Sequence, residues 1–131
     1  MNVAIVEDEL LISMVTLKMV ESLGHHVTDR YASAEEALDA FDSARPDLVL
    51  MDIHLQGKMD GIEAAAEIER RWQIPCAFTS AYSDGETRLR ADKARPVAFL
   101  PKPITLSVFK DLFDGLTHLG SSKGGGSCLL A

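Results

Sequence analysis

The sequence predicts an α/β fold in which a parallel sheet of five strands carries helices on both faces. Short apolar runs alternate five times with longer segments that can form helices. The runs are too short and too apolar to expose one face to water, which is typical of strands buried in a parallel sheet. Because crossovers between parallel strands are right-handed, few arrangements remain, and we expect the doubly wound strand order 2-1-3-4-5.

Each predicted strand is a short apolar run that ends in a polar residue or a proline. The runs lie at residues 3–6, 26–31, 48–52, 75–80 and 96–100. The intervening segments have helical length and spacing and lie at residues 10–23, 34–43, 61–72, 84–93 and 106–119. Ser33 and Thr105 are suited to cap the helices that follow them, and Gly24 is suited to end the first helix.

The predicted helices differ in how many apolar residues they have for packing against the sheet. The fourth helix has Leu89 and Ala91 as nearly its only apolar residues, so it has little with which to dock. The last helix has an apolar stripe formed by Val108, Phe109, Leu112, Phe113 and Leu116. We therefore expect the fourth helix to be the least protected of the five.

The first helix has apolar residues at nearly every angle, although a helix that flanks a sheet buries only one stripe. Lys18 and Glu21 mark its solvent side, and helical spacing places Leu11, Met14 and Leu17 on or beside that side. Two interpretations remain open for these three residues. They are ordinary exposed side chains, or they form a docking patch for a partner protein or a second copy.

Composition limits the class of protein. A chain of 131 residues suits one domain, which we place at residues 1–119, followed by a flexible tail at residues 120–131. Apolar residues make up 47% and charged residues 25%, so we expect a cytoplasmic protein that neither spans nor binds a membrane. The formal charge of -7 opposes binding to nucleic acid.

Side chains that can carry chemistry follow four of the predicted strands. Glu7 and Asp8 follow the first strand, Asp52 ends the third, Ser80 ends the fourth and Lys102 follows the fifth. Because the carboxyl ends of parallel strands lie at one edge of the sheet, we expect these residues to converge. Three carboxylates in one crevice repel one another unless a cation is present, and Mg2+ prefers oxygen ligands of this kind. The sequence therefore predicts a Mg2+ site, with Mn2+ as a possible substitute.

This set of residues suits the transfer of a phosphoryl group to a carboxylate. Asp52 is the candidate nucleophile, while the metal and Lys102 balance charge on the phosphoryl oxygens and the Ser80 hydroxyl donates to a third oxygen. Each residue also has an ordinary structural interpretation, such as a lysine in a solvated turn. Their occurrence together, each at a strand end and in the right order, favours the site.

At these residues the sequence resembles the receiver domain of bacterial two-component response regulators, over about residues 2–119. The matching motifs are Glu7-Asp8, Leu50-Met51-Asp52, Ser80-Ala81 and Lys102-Pro103. The resemblance implies the flavodoxin-like (βα)5 fold of stand-alone chemotaxis regulators and a cis peptide bond before Pro103. Residues 92–96 depart from the sequence pattern of the family, which usually has a Gly-Ala dipeptide before the fifth strand.

The resemblance also implies a role for each matched residue. Asp52 is the phosphoacceptor, and both Asp8 and Asp52 bind Mg2+ directly. Glu7 acts largely through water, and the backbone carbonyl of His54 completes the protein ligands. Ser80 moves toward the phosphoryl group.

Three further positions have implied roles outside the metal site. Phe99 occupies the place of the aromatic switch residue, which rotates when Ser80 moves. His54 and Tyr82 flank the approach of water to the acyl phosphate, so we expect these bulky side chains to slow autodephosphorylation.

The implied function is a phosphorelay signalling switch and not an enzyme in the ordinary sense, although such a domain catalyses its own phosphorylation and dephosphorylation. A sensor histidine kinase or phosphotransfer protein donates to Asp52, and a downstream protein reads the change. No output domain is expected, and the chain is a monomer or a phosphorylation-dependent dimer.

Other classes of function fit the sequence less well. An interaction module that does not use phosphorylation is the main alternative, although the site residues are intact. A phosphatase of this kind would have a second Asp where this chain has His54. A flavin phosphate would be repelled by Glu7, Asp8 and Glu9.

Overall fold

The computed structural model describes residues 1–81 and 85–122, with residues 118–122 described by their backbone alone. Strands and helices alternate along this part of the chain. The strands β1 to β5 are Asn2–Val6, His26–Tyr31, Leu48–Asp52, Cys76–Ser80 and Ala98–Pro101. The helices α1 to α5 are Leu10–Ser22, Ala34–Phe41, Gly61–Trp72, Gly85–Lys93 and Leu106–Ser122. None of the described helices is long and apolar enough to cross a bilayer.

The five strands form one parallel sheet in the order β2-β1-β3-β4-β5, as predicted. β1 pairs with both β2 and β3, and Val6 lies opposite Met51. β4 pairs with β3 and β5, and Ser80 lies opposite Pro101. The polar residues that end or follow these strands therefore share one edge of the sheet.

The core lies in two layers, one on each face of the sheet. Alternate residues of a strand enter different layers, because successive side chains of a strand point to opposite faces. Val6, Met51 and Phe78 pack in the layer that also contains residues of α2, α3 and α4. Ile5 and Leu50 pack in the other layer, together with residues of α1 and α5. Both faces of the central strands are buried, which explains their continuous apolar runs.

The predicted helix caps are confirmed. The Ser33 side chain accepts a hydrogen bond from the Glu36 N–H at 3.2 Å. Thr105 Oγ1 accepts one from the Val108 N–H at 3.3 Å. Gly24 follows α1 with a φ of 89°, a conformation that glycine adopts without strain.

Some element ends differ from the prediction. α2 ends at Phe41, and β5 begins at Ala98, so both are two residues shorter at that end. Arg95 lies between α4 and β5 with a φ of 54°, a left-handed conformation that ends the helix. α5 continues to Ser122, three residues past its predicted end, because a glycine such as Gly120 costs a helix only about 1 kcal/mol. The rest of the predicted tail, residues 123–131, lies outside the described residues.

The predicted solvent side of α1 is partly wrong. Leu11 and Met14 are 74% and 42% exposed, in agreement with the prediction. Leu17 is instead partly buried against the core layer below α1. The reason is helical phase: Leu17 lies four residues after Ser13 and three before Val20, which are the buried residues of this helix.

The predicted stripe of α5 also needs one correction. Val108 is 37% exposed, whereas Phe109, Leu112 and Phe113 are buried. Leu116 is partly buried against the same layer. The buried stripe therefore begins at Phe109, and Val108 lies at its border.

Candidate functional site

The carboxyl edge of the sheet brings the predicted site residues together. Carboxylate oxygens of Glu7, Asp8 and Asp52 lie within 4.8 Å of one another. Lys102 Nζ lies 2.7 Å from Glu7 Oε1 and 3.6 Å from Asp52 Oδ2. Ser80 is buried beside them, and its carbonyl oxygen accepts a hydrogen bond from the Lys102 N–H at 2.7 Å. Residues that are far apart in sequence thus form one cluster.

Burial makes the charges of this cluster costly. Glu7 and Asp52 are only 6% and 4% exposed. Burial raises the pKa of Glu7 to about 7; the hydrogen bond from Lys102 opposes this rise, and the charge of Asp52 adds to it. Burial acts to lower the pKa of Lys102, but the hydrogen bond to Glu7 and the charge of Asp52 outweigh it, so that pKa is raised. The cluster has more acidic than basic groups and favours a cation.

Backbone N–H groups orient each carboxylate of the cluster. The His54 N–H donates to Asp52 Oδ1 at 3.2 Å, and the Glu9 N–H donates to Glu7 Oε2 at 3.2 Å. The Gln56 N–H donates to Asp8 Oδ2 at 3.3 Å. Two of these donors belong to the loop between β3 and α3, so the position of that loop affects the geometry of the cluster.

Gly61 is a residue of this site that the sequence reasoning missed. A Cβ atom at this position would lie 2.0 Å from the backbone oxygen of Asp52 and 2.9 Å from the Cα of Ile53. The Gly61 N–H also donates to the Ile53 carbonyl at 3.0 Å. Any side chain here would displace the end of β3 that carries Asp52. The available signal was a glycine placed directly after the helix cap Asp60, where glycine is unfavourable for the helix itself.

The remaining predicted site positions lie around the cluster. The His54 side chain is exposed, and Tyr82 lies outside the described residues. Phe99 is half-buried on β5 and lies opposite Phe78 of β4. The Lys102-Pro103 peptide bond is cis, as the resemblance implies.

The donor set fits a hard divalent cation. Three carboxylates within 4.8 Å offer the oxygen ligands that Mg2+ and Mn2+ bind. The raised pKa of Glu7, caused first by burial and then by Asp52, reflects a cost of negative charge that a cation would offset. Glu7, Asp8 and Asp52 are therefore the residues that can hold a metal ion here.

A groove of about 500 Å³ opens beside this cluster, between α1 and the segment that joins β5 to α5. Its lining is mostly apolar, with Glu7 and Lys102 among its polar residues. Its lining includes Leu11 and Val15, which are 74% and 43% exposed. The groove therefore joins an exposed apolar surface to the charged site.

Comparison with known proteins identifies relatives over most of the chain. Residues 3–114 match the model of the response regulator receiver domain. The transcriptional regulatory protein PdtaR of Mycobacterium tuberculosis is 34% identical over 106 residues, which cover 81% of this chain and 51% of PdtaR. The chain thus spans about half the length of that relative.

Solved structures agree with this match. The signal receiver domain of a modulated diguanylate cyclase from Desulfovibrio desulfuricans G20 is 32% identical, with a TM-score of 0.85 and coverage of 93% of this chain and 97% of that domain. The PhyR receiver domain of Erythrobacter litoralis is 34% identical, with a TM-score of 0.78 and coverage of 89% of each chain. On the fold, the strand-end cluster and these matches, the chain belongs to the receiver domain family of two-component response regulators.

Proposed function

We propose that this receiver domain is a phosphorylation-controlled switch in which Asp52 accepts a phosphoryl group from a sensor histidine kinase or a phosphotransfer protein. The main supporting observation is the position of Asp52 between the acidic residues and Lys102, whose Nζ lies 3.6 Å from Asp52 Oδ2. A buried carboxylate next to both a cation site and a lysine suits an in-line attack on phosphorus. The switch occupies residues 1–119 in this proposal.

In the transfer step, a carboxylate oxygen of Asp52 attacks the phosphorus of a phosphohistidine. The new O–P bond forms as the P–N bond breaks, and the histidine nitrogen leaves with the electron pair. Lys102 balances charge on one phosphoryl oxygen, and the Ser80 hydroxyl donates to another. A bound Mg2+, held by Glu7, Asp8, Asp52 and the His54 carbonyl, would neutralise the remaining oxygens. Hydrolysis by water later regenerates the free carboxylate.

The groove beside the site supports a docking position for the phosphodonor. The family resemblance implies that a kinase contacts α1 and the segment after β5, which are the two sides of this groove. Leu11 lines this groove, Met14 is a further exposed apolar residue of α1, and the groove leads to Lys102. A phosphorylated donor seated there would bring its phosphohistidine to Asp52.

The donor-docking proposal is tested with the double variant Leu11→Glu, Met14→Glu. It is expected to keep its thermal midpoint and its labelling by acetyl phosphate, but to lose most transfer from the cognate kinase. Leu89→Glu is the matched control, because Leu89 is an exposed leucine on α4. Equal transfer to both variants would remove α1 from the docking surface.

The phosphoacceptor assignment is tested with Asp52→Asn. This variant is expected to take up no label from a phosphorylated kinase or from acetyl phosphate, and a chelator of divalent cations should abolish labelling of the unaltered chain. Asp39→Asn is the control, because Asp39 is an exposed carboxylate on α2 that does not belong to the acidic cluster. Stoichiometric label on Asp52→Asn would show that another residue is the acceptor. No label on the unaltered chain with any donor would favour the interaction module that does not use phosphorylation.

A further inference from the structure

The loop between β3 and α3, residues 53–60, is held from one side by a carboxylate of α2. Glu35 Oε2 accepts a hydrogen bond from the Met59 N–H at 3.1 Å. Glu35 Oε1 lies next to Gly57, where an added Cβ atom would come within 3.0 Å of it. Both oxygens of this side chain therefore lie against the backbone of the loop.

The other side of the same loop contacts the acidic cluster. The His54 N–H donates to Asp52 Oδ1 at 3.2 Å, and the Gln56 N–H donates to Asp8 Oδ2 at 3.3 Å. The loop thus lies between Glu35 and the candidate metal ligands. A shift of the loop away from Glu35 would change the orientation of two of those ligands.

Apolar burial holds this loop only in part. Leu55 is 8% exposed and Met59 packs partly against the core. Gln56, Gly57 and Lys58, which lie between them, are exposed. Gly57 has a φ of 118°, a conformation that other residues rarely adopt, and the absent Cβ leaves room for Glu35. The position of the exposed part of the loop, residues 56–58, therefore depends on hydrogen bonds made by the loop backbone.

Glu35 is well placed to make such a contact. It lies in the first turn of α2, where the aligned peptide dipoles favour a negative charge. The side chain is only partly exposed, and a hydrogen bond from an N–H to a carboxylate is stronger than one between neutral groups. Its neighbour Glu36 bonds to Ser33 and makes no such contact with the loop.

We propose that Glu35 is a positioning residue for the metal site. By holding the Met59 N–H and the backbone at Gly57, it keeps the loop where the Gln56 N–H orients Asp8 and where the His54 carbonyl can reach the metal. Glu35 does not touch the reacting atoms and acts only through the loop. This inference rests on the proposed function, because the role of the metal is part of that proposal.

The test compares Glu35→Ala, Glu35→Gln and the control Glu36→Ala, which removes the same charge from the same helical turn. Three quantities are measured on each 131-residue variant. They are the Kd for Mg2+ by calorimetry, the hydrogen exchange rate of the Met59 amide without metal, and the rate of labelling by acetyl phosphate as a function of Mg2+ concentration.

Glu35→Ala is expected to raise the Kd for Mg2+ about 10-fold and to speed exchange of the Met59 amide by about the same factor. Its labelling rate should return to that of the unaltered chain at saturating Mg2+, because only the affinity is changed. Glu35→Gln keeps an oxygen acceptor without the charge, so its Kd for Mg2+ should lie between those of the unaltered chain and Glu35→Ala. Glu36→Ala should leave all three quantities unchanged.

Two results would overturn the inference. The first is an unchanged Kd for Mg2+ in Glu35→Ala, and the second is a Glu35→Gln variant as weak as Glu35→Ala, which would exclude the hydrogen bond as the cause. If either result is obtained while the unaltered chain is labelled normally, the proposed role of Glu35 is rejected and the proposed function is retained. An unaltered chain that binds Mg2+ but takes up no label rejects the proposed function and leaves the metal affinities to decide the role of Glu35.

Discussion

α3 and α4 are consecutive helices over the same core layer, but they are attached to the sheet in different ways. α3 begins with a capping box in which Asp60 and Glu63 each accept a hydrogen bond from the backbone N–H of the other. Its buried residues are Gly61, Ile62, Ala64, Ala65 and Ile68. In α4 the buried residue is Ala91, whereas its largest apolar residue, Leu89, is 66% exposed.

Two arginine side chains of α4 contact residues outside this helix. The Arg88 guanidinium lies 4.4 Å from the centre of the Phe99 ring, and Arg90 pairs with Asp60 at 2.9 Å. Exposed contacts of this kind contribute little to stability, because water screens the charges. A helix held in this way can move at little cost, and it contacts the residue that we expect to act as the aromatic switch. We therefore expect α3, which begins against the backbone of Asp52, to resist local unfolding more than α4 does.

The largest expected difference between α3 and α4 is the loss in the free energy of unfolding when one apolar side chain is truncated to alanine. Ile68→Ala should reduce the free energy of unfolding by about 3 kcal/mol, because Ile68 is fully buried in α3. Leu89→Ala in α4 should change it by less than about 0.5 kcal/mol. Urea denaturation measures both values. Similar losses from the two substitutions would contradict the comparison.

Hydrogen exchange should separate the two helices without any substitution. Amides of α4 are expected to exchange at least about 100-fold faster than those of α3, because little apolar surface must be exposed to release α4. Phosphorylation should alter exchange in α4 and leave α3 nearly unchanged. Equal protection of the two helices would show that the arginine contacts hold α4 as firmly as burial holds α3.

Asp60 caps α3 and pairs with Arg90 of α4. Two different substitutions of Asp60 should therefore separate the contribution of the cap from that of the ion pair. Asp60→Ala removes both the cap of α3 and the partner of Arg90, and we expect a loss of about 1 kcal/mol. Asp60→Asn keeps a good capping oxygen and weakens the ion pair, so stability should change by less than about 0.5 kcal/mol. Thermal unfolding measures the first effect, and exchange of α4 amides measures the second. Equal destabilisation by both variants would mean that the charge, and not the cap, holds α3.

The smallest expected effect concerns the Arg88 contact with Phe99. Arg88→Met keeps an unbranched apolar side chain but removes the cation, which should speed exchange of α4 amides by about 2- to 5-fold. Asp92→Asn is the control, because it removes the charge that pairs with Arg88 at 3.2 Å but keeps the Arg88 cation. If the control has the same effect as Arg88→Met, the ion pair within α4 accounts for the change and the ring contact does not.

The sequence by itself predicted the fold and the residues that cluster at the carboxyl edge of the sheet. Periodicity is a local property, so short apolar runs and helical segments were recognised one at a time, and the handedness of crossovers then limited their order. Asp52, Ser80 and Lys102 were found because each ends or follows a strand, and strand ends of a parallel sheet share an edge. The motifs around them also carried the resemblance that the family match confirms.

Only the tertiary structure decided which side chains meet across the sheet and its loops. The burial of Leu17 depends on the rotation of α1 about its axis, which a helix with apolar residues on every side does not reveal. Glu35 and Met59 are 24 residues apart, and Gly61 meets the backbone of Asp52 only because α3 begins against β3. Local patterns reveal the preference of each segment, whereas contacts between segments depend on distances and angles that exist only once the elements have packed.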